Sequence, residues 1–213
     1  MKLLCISDIH GRADLLDRVL DFGRRQGCTS TLVAGDLCFP GPEPLRTWKM
    51  LMEAKAHLVR GVTDLAVGTV NPDTIRTSSP EQAARLDLLR ACREQLGDVI
   101  LTRLARLPTS FRLSLESGGE LLLVHGSPRD PSSPLTHDMD DEELAAMLGD
   151  EPADIVICGA SHVPFDRVSG TTRIVNVGSV GEAPSAGCAH AAVVESSHAG
   201  VEVRLITLAA QEA

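Results

Sequence analysis

The sequence predicts an α/β fold, on three observations. Short apolar runs alternate with amphipathic helical stretches over the first sixty or so positions. Three of those runs end at Asp8, Asp36 and Gly61, where turn and ligand residues follow directly. The second half then changes to closely spaced strand-like runs with one clear helix among them. A chain of 213 residues is long enough for one domain with a full core, so a single domain over 1–213 is expected.

Leu3 to Ile6 reads as a buried strand closed by Ser7-Asp8. Ala13 to Arg25 is an amphipathic helix, with Leu15, Leu16, Val19, Leu20 and Phe22 on one side. Thr29 to Ala34 is a second strand, ending at Gly35-Asp36. Pro42 to Ala54 is a helix, and His57 to Val59 a short strand ending before Gly61. This β-α-β-α-β order implies parallel strands and right-handed crossovers. Asp8, Asp36 and Gly61 then share one carboxyl edge, the side on which open α/β sheets bind ligands. Residues 65–79 carry no clear pattern and read as a loop or cap near that edge. Pro80 to Leu96 is helical, with Pro80 suited to the first position, and a short helix follows to Leu107, stopped by Pro108. Phe111 to Glu116 and Glu120 to Val124 flank a Ser117-Gly118-Gly119 turn. Asp140 to Leu148 is a helix opened by a capping box of Asp140 and Glu143. Asp154 to Cys158, Arg173 to Val177, Ala189 to Glu195 and Val201 to Thr207 are the remaining strands.

Composition narrows the function classes. Aromatics make up 2% of the chain and Tyr is absent, which argues against a base-stacking platform for single-stranded nucleic acid. The net charge of −9 argues against anionic membranes and long nucleic acids as partners. An acidic protein that handles phosphate needs local positive charge, which a bound metal supplies. The six cysteines form no C-x-x-C pair, and Cys5 and Cys158 lie inside apolar runs; a reduced, cytoplasmic setting is expected. The N-terminal apolar run is too short for a signal peptide, and no stretch approaches a membrane span.

Chemistry concentrates in five blocks: Asp8-Ile9-His10-Gly11, Gly35-Asp36, Gly61-Val62-Thr63-Asp64, His125-Gly126 and Gly159-Ala160-Ser161-His162. Asp8 and His10, two apart beyond a strand, point to the same side in extended geometry and can reach one cation. Asp36 can join them from the neighbouring strand, and His162 can close the set. Carboxylates with imidazoles suit Mn²⁺, Fe²⁺ or Zn²⁺ better than Ca²⁺ or Mg²⁺. Singly, each block has a plainer reading. Asp8 could cap a helix, His10 could be a surface residue, Asp36 a turn residue, and His125 a hydrogen-bonded strand end.

Taken in order, the blocks resemble the calcineurin-like metallophosphoesterase superfamily, whose pattern is D-x-H, G-D, G-N-[HC]-[DE], H-G and G-H-x-H. Three segments resemble its small bacterial and archaeal predicted-phosphodiesterase branch: Val124 to Pro131, Ser161 to Phe165, and Val175-Asn176-Val177-Gly178-Ser179-Val180-Gly181. The resemblance covers the chain from Met1 to about Leu208. It implies a four-layer α-β-β-α sandwich of two mixed β-sheets flanked by helices, with metals at the strand ends. It implies one metal on Asp8, His10, Asp36 and His162, and a second sharing Asp36 and taking the positions of Val62, His125 and Ala160. The family's leaving-group His matches Thr63.

Val62 and Ala160 have no side-chain donor, and both losses fall on the same ion. The expectation is therefore a phosphoesterase with one intact site, hydrolysing a phosphodiester or small phosphomonoester. Its metal ligands would be Asp8, His10, Asp36, His125 and His162, and its catalytic contributors His125, Asp36, Asp64 and Arg60, the last as a phosphate contact. Mn²⁺ is favoured over Fe²⁺, Zn²⁺ or Ni²⁺, and one ion over two. A rebuilt second site on Thr63, Asp64 or Ser161 is an alternative. So is an inactive scaffold or binding module on the same fold. The substrate is expected to be small and phosphate-bearing, and a homo-oligomer is compatible with the sequence. His137, Asp138, Asp140 and Asp141 read as helix-start acidity. Arg129 shares the ambiguity of Arg60, and Asn176 could shape the site edge or merely form a turn.

Overall fold

The first three apolar runs become β1 (Lys2–Ile6), β2 (Ser30–Val33) and β3 (His57–Leu58), with α1 (Ala13–Arg25) and α2 (Pro44–Glu53) as the crossovers. A computed structural model describes residues 1–150 and 153–209. After β3 come α3 (Val62–Thr69), a 3₁₀ turn (Pro72–Thr74) and α4 (Pro80–Ala105). The second half adds β4 (Ser110–Ser114), β5 (Glu120–Val124), α5 (Asp141–Leu148), β6 (Ile155–Cys158), β7 (Phe165–Ser169), β8 (Thr172–Asn176), β9 (Ala189–Ser197) and β10 (Gly200–Leu208).

These strands form two mixed five-stranded sheets, ordered β10-β9-β1-β2-β3 and β4-β5-β6-β8-β7. β1, β2 and β3 run parallel, and so do β5, β6 and β8; hairpins add the antiparallel edges. Side-chain alternation then sorts each strand between two layers. Leu3 and Cys5 of β1 meet Leu121 and Leu123 of β5 and Ile155 and Ile157 of β6 in a core between the sheets. Leu4 and Ile6 face the other way, onto Leu16 and Val19 of α1 and Leu51 of α2. Leu122 and Val124 likewise pack beneath Leu144 of α5. Helix, sheet, sheet and helix stack as four layers, as the resemblance implies.

Two segments differ from expectation. The stretch read as a loop over 65–79 contains most of α3 and the 3₁₀ turn. Val62, Thr63 and Thr69 are poor helix formers, so its start depends on a cap that is tied to a neighbouring loop: the Asp64 carboxylate accepts the Gly61 N–H at 2.9 Å and also the Asp36 and Leu37 N–H groups. The strand β7 went unread because Phe165-Asp166-Arg167-Val168-Ser169 is a polar edge strand with its middle residues turned toward solvent. The break expected after Leu96 is present inside α4, where Gly97 takes φ +70°. The six cysteines are all free thiols. No helix of the described residues is long and apolar enough to cross a membrane.

Leu123 is fully buried in the layer between the sheets. Leu123→Ala is expected to cost about 3 kcal/mol through lost transfer energy and a residual cavity, read by urea unfolding. A cost below about 1 kcal/mol would mean that the two sheets do not pack there as described.

Candidate metal centre

The carboxyl ends of β1, β2, β3, β5 and β6 meet at one edge, and the loops leaving them carry the five blocks. Backbone hydrogen bonds lock the first two loops together: Asp8 N donates to Gly35 O at 3.0 Å, His10 N to Asp36 O at 3.0 Å, and Gly11 N to Leu37 O at 2.9 Å. Asp8, His10, Asp36, Ala160 and His162 all have left-handed backbones, with φ of 53°, 49°, 53°, 63° and 60°. Each such residue costs about 1 kcal/mol. A cluster of strained residues around a few converging ligand atoms points to function.

Asp8 is fully buried at the centre. Its Oδ2 accepts the Ala160 N–H at 2.9 Å, and its Oδ1 lies 3.1 Å from His162 Nε2 and 3.7 Å from His10 Nε2. The two imidazole Nε2 atoms are 3.4 Å apart. Burial alone would raise the Asp8 pKa. The hydrogen bond from His162, with the charges of His125 and His162, outweighs it and holds the group below its ordinary value. The same hydrogen bond raises His162 against the opposing effect of its burial, with help from the charges of Asp8, Glu182 and Asp36.

These three atoms fit a divalent cation. Ligands about 2.1 Å from a shared ion lie roughly 3.0–3.4 Å from one another, close to the spacing seen. The ring orientations agree. His10 Nδ1 is 2.5 Å from Phe39 O and His125 Nδ1 is 2.6 Å from Ala34 O, so each carries its hydrogen there and turns a lone pair on Nε2 into the site. A second group of three converges beside the first: Asp8, Asp36 and His125, with His125 Nε2 3.6 Å from Asp36 Oδ1. Asp36 thus clusters with His125, while Asp8 is common to both groups.

Of the two positions that the resemblance matched to further ligands, Ala160 gives this group only its backbone N–H, on Asp8, and Val62 has no side-chain donor. Val62 is half-exposed at the start of α3. The neighbouring Gly159 is required: a Cβ there would come 2.0 Å from Ser7 Oγ and 2.5 Å from Asp8 Oδ2. Asn176 holds the same loop from below, its buried amide donating to Gly159 O at 2.7 Å and to Ser161 Oγ at 3.0 Å.

Two expected contributors have other work. Asp64 is buried, and its carboxylate accepts three backbone N–H groups, those of Asp36, Leu37 and Gly61, each at 2.9 Å. Both oxygens are engaged, so Asp64 clamps the Asp36 loop and is not itself a free ligand or base. Burial and the Asp36 carboxylate push it up to about 6 despite those donors. Arg60 sends its guanidinium to Ala105 O at 2.6 Å, at the end of α4. Arg129 likewise binds Ala146 O of α5. Asp140 caps α5 as expected, and the acidic residues around it form no metal group among the described residues.

One residue was missed. Glu182 Oε2 stands 3.7 Å from His162 Nδ1 and 3.6 Å from His10 Nε2. It gets there because the loop after β8 folds back over β1: Val180 N donates to Ser7 O, Gly181 N to Asp8 O, and Ser179 Oγ to Asp8 O. The only signal in the sequence was its place next to the Asn176–Gly181 segment.

A family model for the calcineurin-like phosphoesterase superfamily domain matches residues 1–199. Among solved structures, a hypothetical protein from Pyrococcus horikoshii OT3 is similar at 19% identity, covering 99% of this chain and 89% of its own, with a TM-score of 0.81. A metallophosphoesterase from Sphaerobacter thermophilus is similar at 22% identity, with 99% and 89% covered and a TM-score of 0.77. A protein described as an archaeal phosphodiesterase shares 15% identity over 98% of this chain and 100% of its own, with a TM-score of 0.54. No curated protein sequence matches the chain.

Asp64→Asn places an amide donor against at least one backbone N–H. It is expected to cost about 2 kcal/mol in urea unfolding at pH 7.5; unchanged stability would show that the clamp carries nothing. Glu182→Gln keeps the shape but removes the charge facing His162, and should weaken metal binding roughly tenfold by calorimetric titration. An unaltered affinity would leave Glu182 as a bystander.

Proposed function

The chain belongs to the calcineurin-like phosphoesterase superfamily, and on that premise we propose that it is a metal-dependent phosphoesterase working with one intact metal site. One observation carries the reading: Asp8 Oδ1, His10 Nε2 and His162 Nε2 converge within 3.1–3.7 Å of one another. A divalent cation held there would supply a Lewis acid for a phosphoryl oxygen and would lower the pKa of a water. The donor set supports Mn²⁺ first, with Fe²⁺, Zn²⁺ or Ni²⁺ as alternatives.

The chain's own groups do the rest. With its Nδ1 hydrogen on Ala34 O, His125 offers Nε2 beside Asp36. That nitrogen takes a proton, or returns one to a phosphoryl oxygen once protonated. Asp36 is held by the Thr63 N–H on Oδ1 at 2.8 Å and faces His125. Thr63 in the place of the family's leaving-group His favours diesters by family analogy, and the archaeal neighbour's description as a phosphodiesterase supports the same choice. The acidic charge of the chain supports a small phosphate-bearing substrate over nucleic acid, and six free thiols support a reducing, cytoplasmic setting.

A second reading is an inactive binding module, favoured by Val62, which puts 47% exposed apolar surface where a ligand would stand. Elemental analysis and hydrolysis of bis-p-nitrophenyl phosphate with added Mn²⁺ separate the two. The expected result is about one ion per chain and turnover that Asp36→Asn lowers by about 100-fold or more. Two ions in the native chain would contradict the single site; no turnover on a panel of mono- and diesters would favour the binding module. The double variant Val62→Asn/Ala160→His should take up a second ion, and failure to do so would mean that the vacant half has lost more than its ligands.

A further inference from the structure

Beside the metal centre lies a cleft of about 510 Å³, walled by α3 and the first turns of α4. It is lined mainly by apolar side chains, including Phe39, Val62 and Ile75, with Arg76 and Arg85 at its rim. Three of its residues belong to the metal centre as well. The Phe39 carbonyl fixes the His10 ring, while its side chain forms cleft wall. Thr63 donates its backbone N–H to Asp36, and its buried hydroxyl has no hydrogen-bond partner among the described residues. Val62 stands between them at the helix start, so the substitution that removes a ligand also extends the apolar wall.

The charges point the same way. The chain is acidic overall, yet neither Arg76 nor Arg85 has an ion pair among the described residues. Arg85 instead lies over the Phe39 ring, 5.1 Å from its centroid, which leaves its charge available to an incoming anion. Ile75 is 43% exposed within the cleft, an apolar surface that a ligand ring would cover.

We propose that this cleft is the subsite for the organic group of the phosphoester, and that this group is an aromatic ring. The proposal rests on the phosphoesterase reading above. The ring would lie against Phe39, Val62 and Ile75 with its phosphate at the metal centre, and the two arginines would draw the anion in. Substrates with small aliphatic ester groups would fill the metal centre and leave the cleft to water.

The test uses two phosphonates that cannot be hydrolysed, phenylphosphonate and methylphosphonate, titrated calorimetrically into the Mn²⁺-loaded protein. Phenylphosphonate is expected to bind roughly tenfold tighter, from the ring surface it buries. Ile75→Asn, neutral and at a half-exposed position, should erase that difference while holding methylphosphonate affinity within about twofold. Equal affinities in the native protein, or a difference untouched by Ile75→Asn, would overturn the cleft assignment and leave the phosphoesterase reading standing on methylphosphonate binding. If neither phosphonate binds, both fall.

Discussion

Asp8 ties the molecule together. It ends β1 in one sheet, accepts the Ala160 N–H from the loop after β6 in the other, and receives Gly181 N–H and Ser179 Oγ on its backbone carbonyl. A fully buried carboxylate is costly unless its charge is compensated and hydrogen-bonded. Here the compensation is His162, His125 and a backbone amide, all delivered by loops that leave the carboxyl ends of neighbouring strands. The requirement explains the local backbone. Five left-handed residues are tolerated because the alternative is an unanswered charge between two sheets.

The same constraint explains how the site keeps its shape with no side-chain donor at positions 62 and 160. The Asp8–His10–His162 group is held by carbonyls, amides and a buried Asn, none of which depends on the side chains at 62 or 160. Ala160 contributes through its N–H, and any residue that accepts its φ of 63° would do so. Val62 sits in the first turn of a helix whose start is organised by Asp64. With no side-chain donor at either position the fold is intact, one cluster consists of Asp8, Asp36 and His125, and Val62 lines an apolar cleft.

Much of this was legible in the sequence, because strand ends at a carboxyl edge are announced by apolar runs stopping at Asp, Gly or His. The parallel strands and the convergence of Asp8, His10 and His162 followed from that pattern; the four-layer stacking came from the resemblance. Other features were not legible, for physical reasons. The helix α3 starts on the Asp64 cap, whose carboxylate is anchored by the Asp36 loop, and not on propensity. The strand β7 is polar because it is an edge. Asp64 looked like a ligand because a carboxylate beside the site is ambiguous until its acceptors are counted. Arg60 pointed to a helix end that only the packing of α4 brings near. Glu182 reaches the imidazoles through a loop that folds over β1, and no spacing along the chain encodes that contact.

The central claim is that one cation site survives and the other does not. Crystals soaked in Mn²⁺ and measured at the manganese absorption edge would test it most directly. A single anomalous peak is expected, bounded by Asp8 Oδ1, His10 Nε2 and His162 Nε2. A second peak of comparable height beside His125, or no peak among the three, would contradict it.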